Sequence, residues 1–220
     1  MALTPKIVAP EQVRVRGDTR SEFMAATSAL MIERDSVDIS LSDIAGRARS
    51  NVALVKYYFG NKDGLLIALL ERDVHGAVAA LERLIATDAP ALWKMQHHVS
   101  GLLQTYHRYP YLNRLVLSVI RDSSPERAKE LAQRLVAPLR KFYDTLIDQG
   151  VREGTFRQVD PMLMYFSVVG ACDQLFSARG VLKALFDVND IDDNLRRRFI
   201  DHTVALLTQG LIAPVDVPAA

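Results

Sequence analysis

The residues with the clearest chemical use lie between Ser40 and Lys62, and their types suit binding rather than reaction. Asn51, Val52, Ala53, Leu54, Lys56, Tyr57 and Tyr58 form one short run. Tyr57 offers a ring and a hydroxyl to a base edge or a phosphate. Val52, Ala53 and Leu54 offer apolar surface to thymine methyls. Lys56, Tyr58 and Lys62 suit phosphates, and Lys62 sits where backbone N–H groups at a helix start also favour an anion. Ser42 and Arg49 complete the set of candidate DNA contacts. From Ser42 to Lys62 the local charge excess is +3. The rest of the chain carries no reaction chemistry of recognisable spacing. It has no Gly-rich phosphate loop, zinc spacing, paired carboxylates or nucleophile elbow. His97 and His98 are adjacent, so on a helix they diverge by ~100° and share a metal ion poorly. Cys172 lies in an apolar run, as an inert core residue does. No enzyme activity, cofactor or metal is expected.

Two short helices must hold those residues. Ser40 and Asp43 have the spacing of a capping box, so a helix starts just after Ser40. Ile44, Ala45 and Ala48 share one face, and Arg49-Ser50 breaks the helix. Asn51 caps a second helix, in which Val55 and Phe59 point inward and leave Ala53, Leu54 and Tyr57 outward. Asn61 caps a third. Such a pair solves a geometric problem, placing a short helix in a major groove about 12 Å wide while the other braces it. An ordinary helical hairpin inside a bundle has the same spacing.

The chain has 220 residues, 49% of them hydrophobic, and a net charge of +1. Overall charge therefore argues for no nucleic-acid partner, and only the local patch does. The single cysteine suits a reducing compartment. No apolar run approaches the ~20 residues of a membrane span, and the N-terminal residues lack a signal-peptide core. A soluble cytoplasmic protein without a membrane partner is expected. Periodicity predicts an all-α chain of about nine helices, with three parts. Residues 1–17, ending in Arg14 and Arg16, form a flexible basic arm; 18–64 form a three-helix unit with Asp18 capping its first helix; 65–220 form a larger helical domain. In that domain Gly76 loosens one helix, Pro138 kinks or divides a long one, and Pro161–Phe186 is apolar nearly all round.

The segment IAGRA…ALVKYYFGNKDGLL resembles the signature of the TetR family of bacterial transcriptional repressors. Ile44, Ala45, Ala48, Asn51, Val55, Tyr57, Phe59, Lys62, Asp63 and Leu65 stand at matching positions. The resemblance implies a helix-turn-helix domain, a homodimer on a palindromic operator, and a small-molecule effector that releases DNA. The chain departs from the family at Arg49-Ser50, where Gly-Val is usual. A left-handed Arg49 would cost on the order of 1 kcal/mol relative to glycine. Such a turn is either distorted or gains a phosphate contact.

Two readers of a palindrome must be held ~34 Å apart. The helices Pro161–Phe186 and Asn194–Gln209 are the candidates, pairing with their symmetry mates through Phe166, Val169, Phe176, Phe199 and Leu206. A pocket is expected among the helices between Leu65 and Gly150. Its candidate lining is Trp93, His97, Tyr106, His107, Tyr111, Arg114, Leu117, Arg121 and Phe142, with Asp173 from the Pro161 helix. Arg121 and Asp173 stand in apolar stretches and either pair, meet a ligand, or face solvent. The alternative to a regulator is a helical ligand-binding or adaptor protein of the same fold that does not bind DNA.

Overall fold

The computed structural model describes residues 16–212. It contains α1 (Arg16–Arg34), α2 (Leu41–Arg47), α3 (Val52–Phe59), α4 (Lys62–Ala86), α5 (Ala91–Arg108), α6 (Leu112–Arg121), α7 (Pro125–Leu135), α8 (Ala137–Arg152), α9 (Pro161–Ser177), α10 (Arg179–Phe186) and α11 (Asp193–Gln209). Among the described residues β pairing is limited to one antiparallel bridge, between Phe156 and Ile212.

The local chemistry explains where the N-terminal helices begin and stop. The Ser40 side chain accepts from the Asp43 amide, and its hydroxyl donates to Asp43 Oδ2 at 2.6 Å. Asn51 Oδ1 accepts from the Leu54 amide at 2.9 Å, and Asn61 Oδ1 from the Gly64 amide at 2.8 Å. These caps satisfy N–H groups that have no partner inside the helix. Phe23, Leu30, Met31, Ile39, Ile44, Val55 and Leu65 then meet in a fully or nearly fully buried cluster. Gly64 is required for the α3–α4 corner. A Cβ there would stand 2.0 Å from the Phe59 carbonyl oxygen, which is backbone and cannot step aside.

The remaining helices pack around α5, α8 and α9, which bury Leu103, Tyr143, Leu146, Cys172 and Phe176. Eleven helices stand where periodicity predicts nine, because two expected long helices are broken. The first break is at Val136 (φ −111°, ψ −36°), two residues before Pro138, whose ring and missing N–H forbid an unbroken helix. The second is at Ala178 (φ −104°, ψ 34°), just ahead of Gly180. Gly76 does not interrupt α4, which is continuous for 25 residues. Helix α1 starts at Arg16, so Asp18 lies in its first turn instead of capping it. Residues 1–15 of the expected arm, with Arg14, lie outside the described residues, and Arg16 and Gly17 belong to α1. No helix among the described residues is long and apolar enough to cross a membrane.

Candidate nucleic-acid interface and effector cavity

Helix α3 has two unlike faces. Val55 is fully buried, and Phe59 packs edge-on against Phe23 with ring centroids 6.3 Å apart. On the other side Tyr57 is 63% exposed, Leu54 and Ala53 are exposed, and Asn51 and Lys56 flank them. Val52 and Tyr58 are half-buried, and the Tyr58 ring stands edge-on to Tyr57 at 5.1 Å. Ser42 is exposed near the start of α2.

The charges nearby sort into committed and uncommitted groups. Arg47 is held by Glu33 through two bonds of 2.8 and 2.6 Å, and Asp43 by Arg34 at 2.9 Å. Lys62 Nζ is 3.3 Å from Asp38 Oδ1. Arg49 and Lys56 are exposed and outside these pairs, so the local positive excess is presented mainly by these two. Arg49 does adopt the left-handed backbone, with φ 48°. The turn closes through the Ser50 amide, which donates to the Ala45 carbonyl at 2.9 Å. A strained residue with an exposed cationic head makes a separable prediction. Arg49→Gly is expected to keep or raise Tm, because glycine relieves a strain of about 1 kcal/mol. If the guanidinium meets a phosphate, the same change makes the negative slope of log K against log salt shallower by about 0.9. Thermal melts and salt titrations of the one variant measure both.

The larger helices line a partly open cavity of about 180 Å³. Helix α4 lines it with Val74, Ala77, Val78 and Leu81; α5 with His97, His98, Thr105 and Tyr106; α6 with Leu112, Asn113 and Val116; Leu135, Val136, Leu139, Tyr165 and Val169 close it. A second space, about 450 Å³, adjoins it at Val78 and Leu81. That one is rimmed by exposed Glu82, Lys141 and Thr145 and is an open cleft despite its size.

Of the candidate lining residues, the cavity brings together His97 and Tyr106. Trp93 stacks on His97 at its outer side and is 39% exposed. Phe142 lines the open cleft. His107 contacts Phe176, away from the cavity. Leu117 is 57% exposed. Arg121 and Asp173 do not pair: Arg121 is exposed and binds Asp122 at 2.9 Å, whereas buried Asp173 accepts from Asn113 and Ser177. His98, Asn113 and Tyr165 line the cavity although residue type alone does not single them out. A signal exists for His98, which shares an i, i+4, i+8 face of α5 with Leu102 and Tyr106, all three on the cavity.

His98 is a buried neutral imidazole. Its Nε2 lies 2.7 Å from Tyr143 Oη, and burial pushes its pKa down from 6.5 to about 3. The unfolded chain therefore takes up a proton near pH 6.5 that the folded chain refuses until near pH 3. The corresponding stability is complete above pH 6.5 and is lost as pH falls through that window. Urea unfolding should show a decline of up to ~1.4 kcal/mol per pH unit from this group, and His98→Gln should flatten it. The thiol of Cys172 is pushed up to about 12 by burial first and by Asp173 second, which keeps it unreactive at neutral pH.

One further cluster joins the N-terminal helices to the cavity. Tyr111 Oη lies 2.6 Å from Asp73 Oδ2 and 2.8 Å from Ser28 Oγ, all buried. The phenol has one proton, so it donates to the carboxylate and accepts from the serine. Burial and the Asp73 carboxylate push its ionisation above the usual tyrosine range. Asp73 Oδ1 is held by Arg72 at 2.6 and 2.8 Å. One helical turn along, Arg114 donates to Asp35 Oδ1 at 2.6 Å and to the Asp35 carbonyl at 3.1 Å. Tyr111 and Arg114 thus grip α1 and the corner after it, while Leu112, Asn113 and Val116 of the same segment line the cavity.

The expected dimer residues separate by burial. Val169 and Phe176 belong to the core of the single chain, and Phe199 is half-buried against Phe176. Phe166 and Leu206 are 65% and 60% exposed, and Met162 and Leu163 beside Phe166 are 56% and 60% exposed. Helix α9 is therefore open to solvent along one apolar face of the single chain.

Comparison with known proteins agrees on one kind of protein. Residues 89–216 match the family described as "Tetracyclin repressor-like, C-terminal domain". The HTH-type transcriptional regulator BetI of Burkholderia thailandensis is 29% identical, over 54% of this chain and 76% of its own length. Among solved structures, the transcriptional regulator FadR of Bacillus subtilis in complex with stearoyl-CoA superposes with a TM-score of 0.66 at 19% identity, covering 86% of this chain and 98% of its own. A TetR/AcrR-family regulator from Thermobifida fusca superposes with a TM-score of 0.60 at 21% identity, covering 88% and 98%.

Proposed function

The chain belongs to the TetR family of transcriptional regulators, which are not enzymes, and on that premise we propose that it is a repressor that binds a palindromic DNA operator as a homodimer in the cytoplasm and is released by a small molecule. Residues 18–64 are the DNA-binding domain and 65–220 the effector-binding and dimerisation domain. The observation that carries the reading is the exposed face of α3, where Asn51, Ala53, Leu54, Lys56 and Tyr57 stand outward on a helix anchored by Val55. Arg49 and Lys56 supply phosphate contacts. Lys62 joins them by exchanging Asp38 for a phosphate.

The exposed apolar strip of α9, Met162, Leu163 and Phe166, with Leu206 of α11, pairs with its symmetry mate. The effector occupies the 180 Å³ cavity. It acts through the Tyr111–Asp73–Ser28 cluster and the Arg114–Asp35 pair, because α6 cannot shift at Leu112 or Val116 without pulling on α1 and the α1–α2 corner. The ligand changes DNA affinity only as far as it prefers one arrangement of these helices. Footprinting on the DNA flanking the gene tests the reading, with light scattering on the same preparation. A protected palindrome with half-sites one helical turn apart, bound by a dimer, supports it. A monomer at micromolar concentration, or no protected site, rejects it.

A further inference from the structure

The effector cavity is electrically lopsided. Among the described residues no lysine, arginine, aspartate or glutamate lines it. Behind its wall, however, stands Asp173, only 7% exposed. Asp173 Oδ2 accepts from Asn113 Nδ2 at 3.1 Å and from Ser177 Oγ at 2.9 Å. Both of these partners are uncharged. Its Oδ1 is buried and has no hydrogen-bond partner among the described residues. A buried carboxylate left with an open acceptor and no counter-charge is unfavourable, so the site is incomplete as it stands.

Asp173 lies next to residues that line the cavity. Asp173 continues the stripe of α9 that begins with Tyr165 and Val169, both of which line the space. Asn113 lines it from α6 while holding Oδ2, and Tyr106 lines it from α5. The Tyr106 hydroxyl is raised above its usual range by burial first and by the Asp173 charge second. A molecule in the cavity would reach the carboxylate past Asn113, which lines the space and bonds Oδ2. Tyr106 and Tyr165 add aromatic surface to the lining, which favours a cation further. The remaining walls, Val78, Leu81, Val116 and Leu139, are aliphatic. The volume, about 180 Å³, is close to the ~150 Å³ of an apolar cavity that accepts benzene.

We propose that this cavity takes a protonated organic amine with a hydrocarbon body about one ring in size, its ammonium donating to Asp173 Oδ1 and its body lying on the aliphatic wall. The proposal rests on the cavity being the effector site. An ammonium supplies both the missing donor and the missing positive charge, whereas an alcohol supplies only the donor and a carboxylate opposes Asp173.

Titration calorimetry of the full chain at pH 7 with phenethylamine, 2-phenylethanol and phenylacetate tests it. The amine is expected to bind at least tenfold more tightly than the alcohol, and phenylacetate more weakly than either. Asp173→Asn, which can still meet Asn113 and Ser177, should bring the amine down to the alcohol's affinity and leave the alcohol within about twofold. Equal binding of amine and alcohol, a preference for phenylacetate, no binding by any of the three at millimolar concentration, or a preference that survives Asp173→Asn overturns the proposal. If Asp173→Asn does not fold, the ranking on the unmodified protein decides alone. DNA binding without any probe is measured separately. Amine preference without DNA binding leaves the amine site standing and removes the regulator; DNA binding without amine preference does the reverse.

Discussion

Tyr57→Ala is expected to weaken operator binding by about 10- to 100-fold while moving Tm by less than ~2 °C. The size follows from the ring and hydroxyl that the change removes, since a good side-chain interaction with a base edge contributes ~1–3 kcal/mol of discrimination. The small change in Tm follows from exposure. Tyr57 is 63% exposed and stands on the far side of α3 from Val55, so its removal opens no core. Exposed substitutions of this kind stay within about 0.5 kcal/mol. Val55→Ala provides the contrast. It leaves every outward side chain in place but opens a cavity under the helix, and should lower Tm and DNA affinity together. Fluorescence anisotropy with the footprinted DNA, beside melts of both variants, separates DNA contact from scaffold. Equal affinity of Tyr57→Ala and the unmodified protein would remove α3 as the reading element.

Tyr111→Phe is expected to have the second large effect, and on two quantities at once. The change deletes one oxygen and leaves the ring, so packing is kept. It strands Asp73 Oδ2 and the Ser28 hydroxyl in a buried site, which costs on the order of 2 kcal/mol. Urea titration reads that loss. The second quantity is coupling. Effector binding commonly changes DNA affinity through 1–3 kcal/mol of coupling, or about 5- to 150-fold. With the Tyr111 grip gone and Arg114–Asp35 left as the side-chain bond from this segment to the α1 corner among the described residues, the effector should change DNA affinity by less than about threefold. Its own affinity for the cavity should stay near normal, because Tyr111 is not a lining residue. Unchanged coupling in a destabilised Tyr111→Phe would assign the cluster to stability alone.

Much of the N-terminal architecture is legible in the sequence because it is written in local rules. Ser40, Asn51 and Asn61 cap the helices that sequence spacing assigns to them, and Val55 and Tyr57 take opposite faces of α3. Arg49 takes the left-handed backbone at the turn position where the family resemblance leads one to expect glycine. The break at Val136 follows from Pro138, whereas the break at Ala178 has only Gly180 as a local sign. The cavity is far less legible. Residue type points to Trp93, Leu117 and Arg121, but lining depends on which side of a helix faces its neighbours, and all three are exposed. Phe142 faces the adjoining cleft for the same reason. Tyr111 is a partial case: it is central, but to the junction between α1, α4 and α6. Ser28 and Asp73 lie 83 and 38 residues from it, and no periodicity brings such partners together. The pairing of Lys62 with Asp38 and of Arg47 with Glu33 is hidden in the same way, so the basic patch is narrower than a count of charges implies.

The most direct measurement is the affinity of the protein for its footprinted DNA across a salt series, for the unmodified chain and for an Arg49→Ala, Lys56→Ala double variant. A DNA-binding regulator gives a straight line of log K against log salt with a steep negative slope, and removing two phosphate contacts makes that slope shallower by about 1.8. Affinity independent of salt, or a slope identical in the two proteins, would contradict the placement of the DNA backbone along Arg49 and α3.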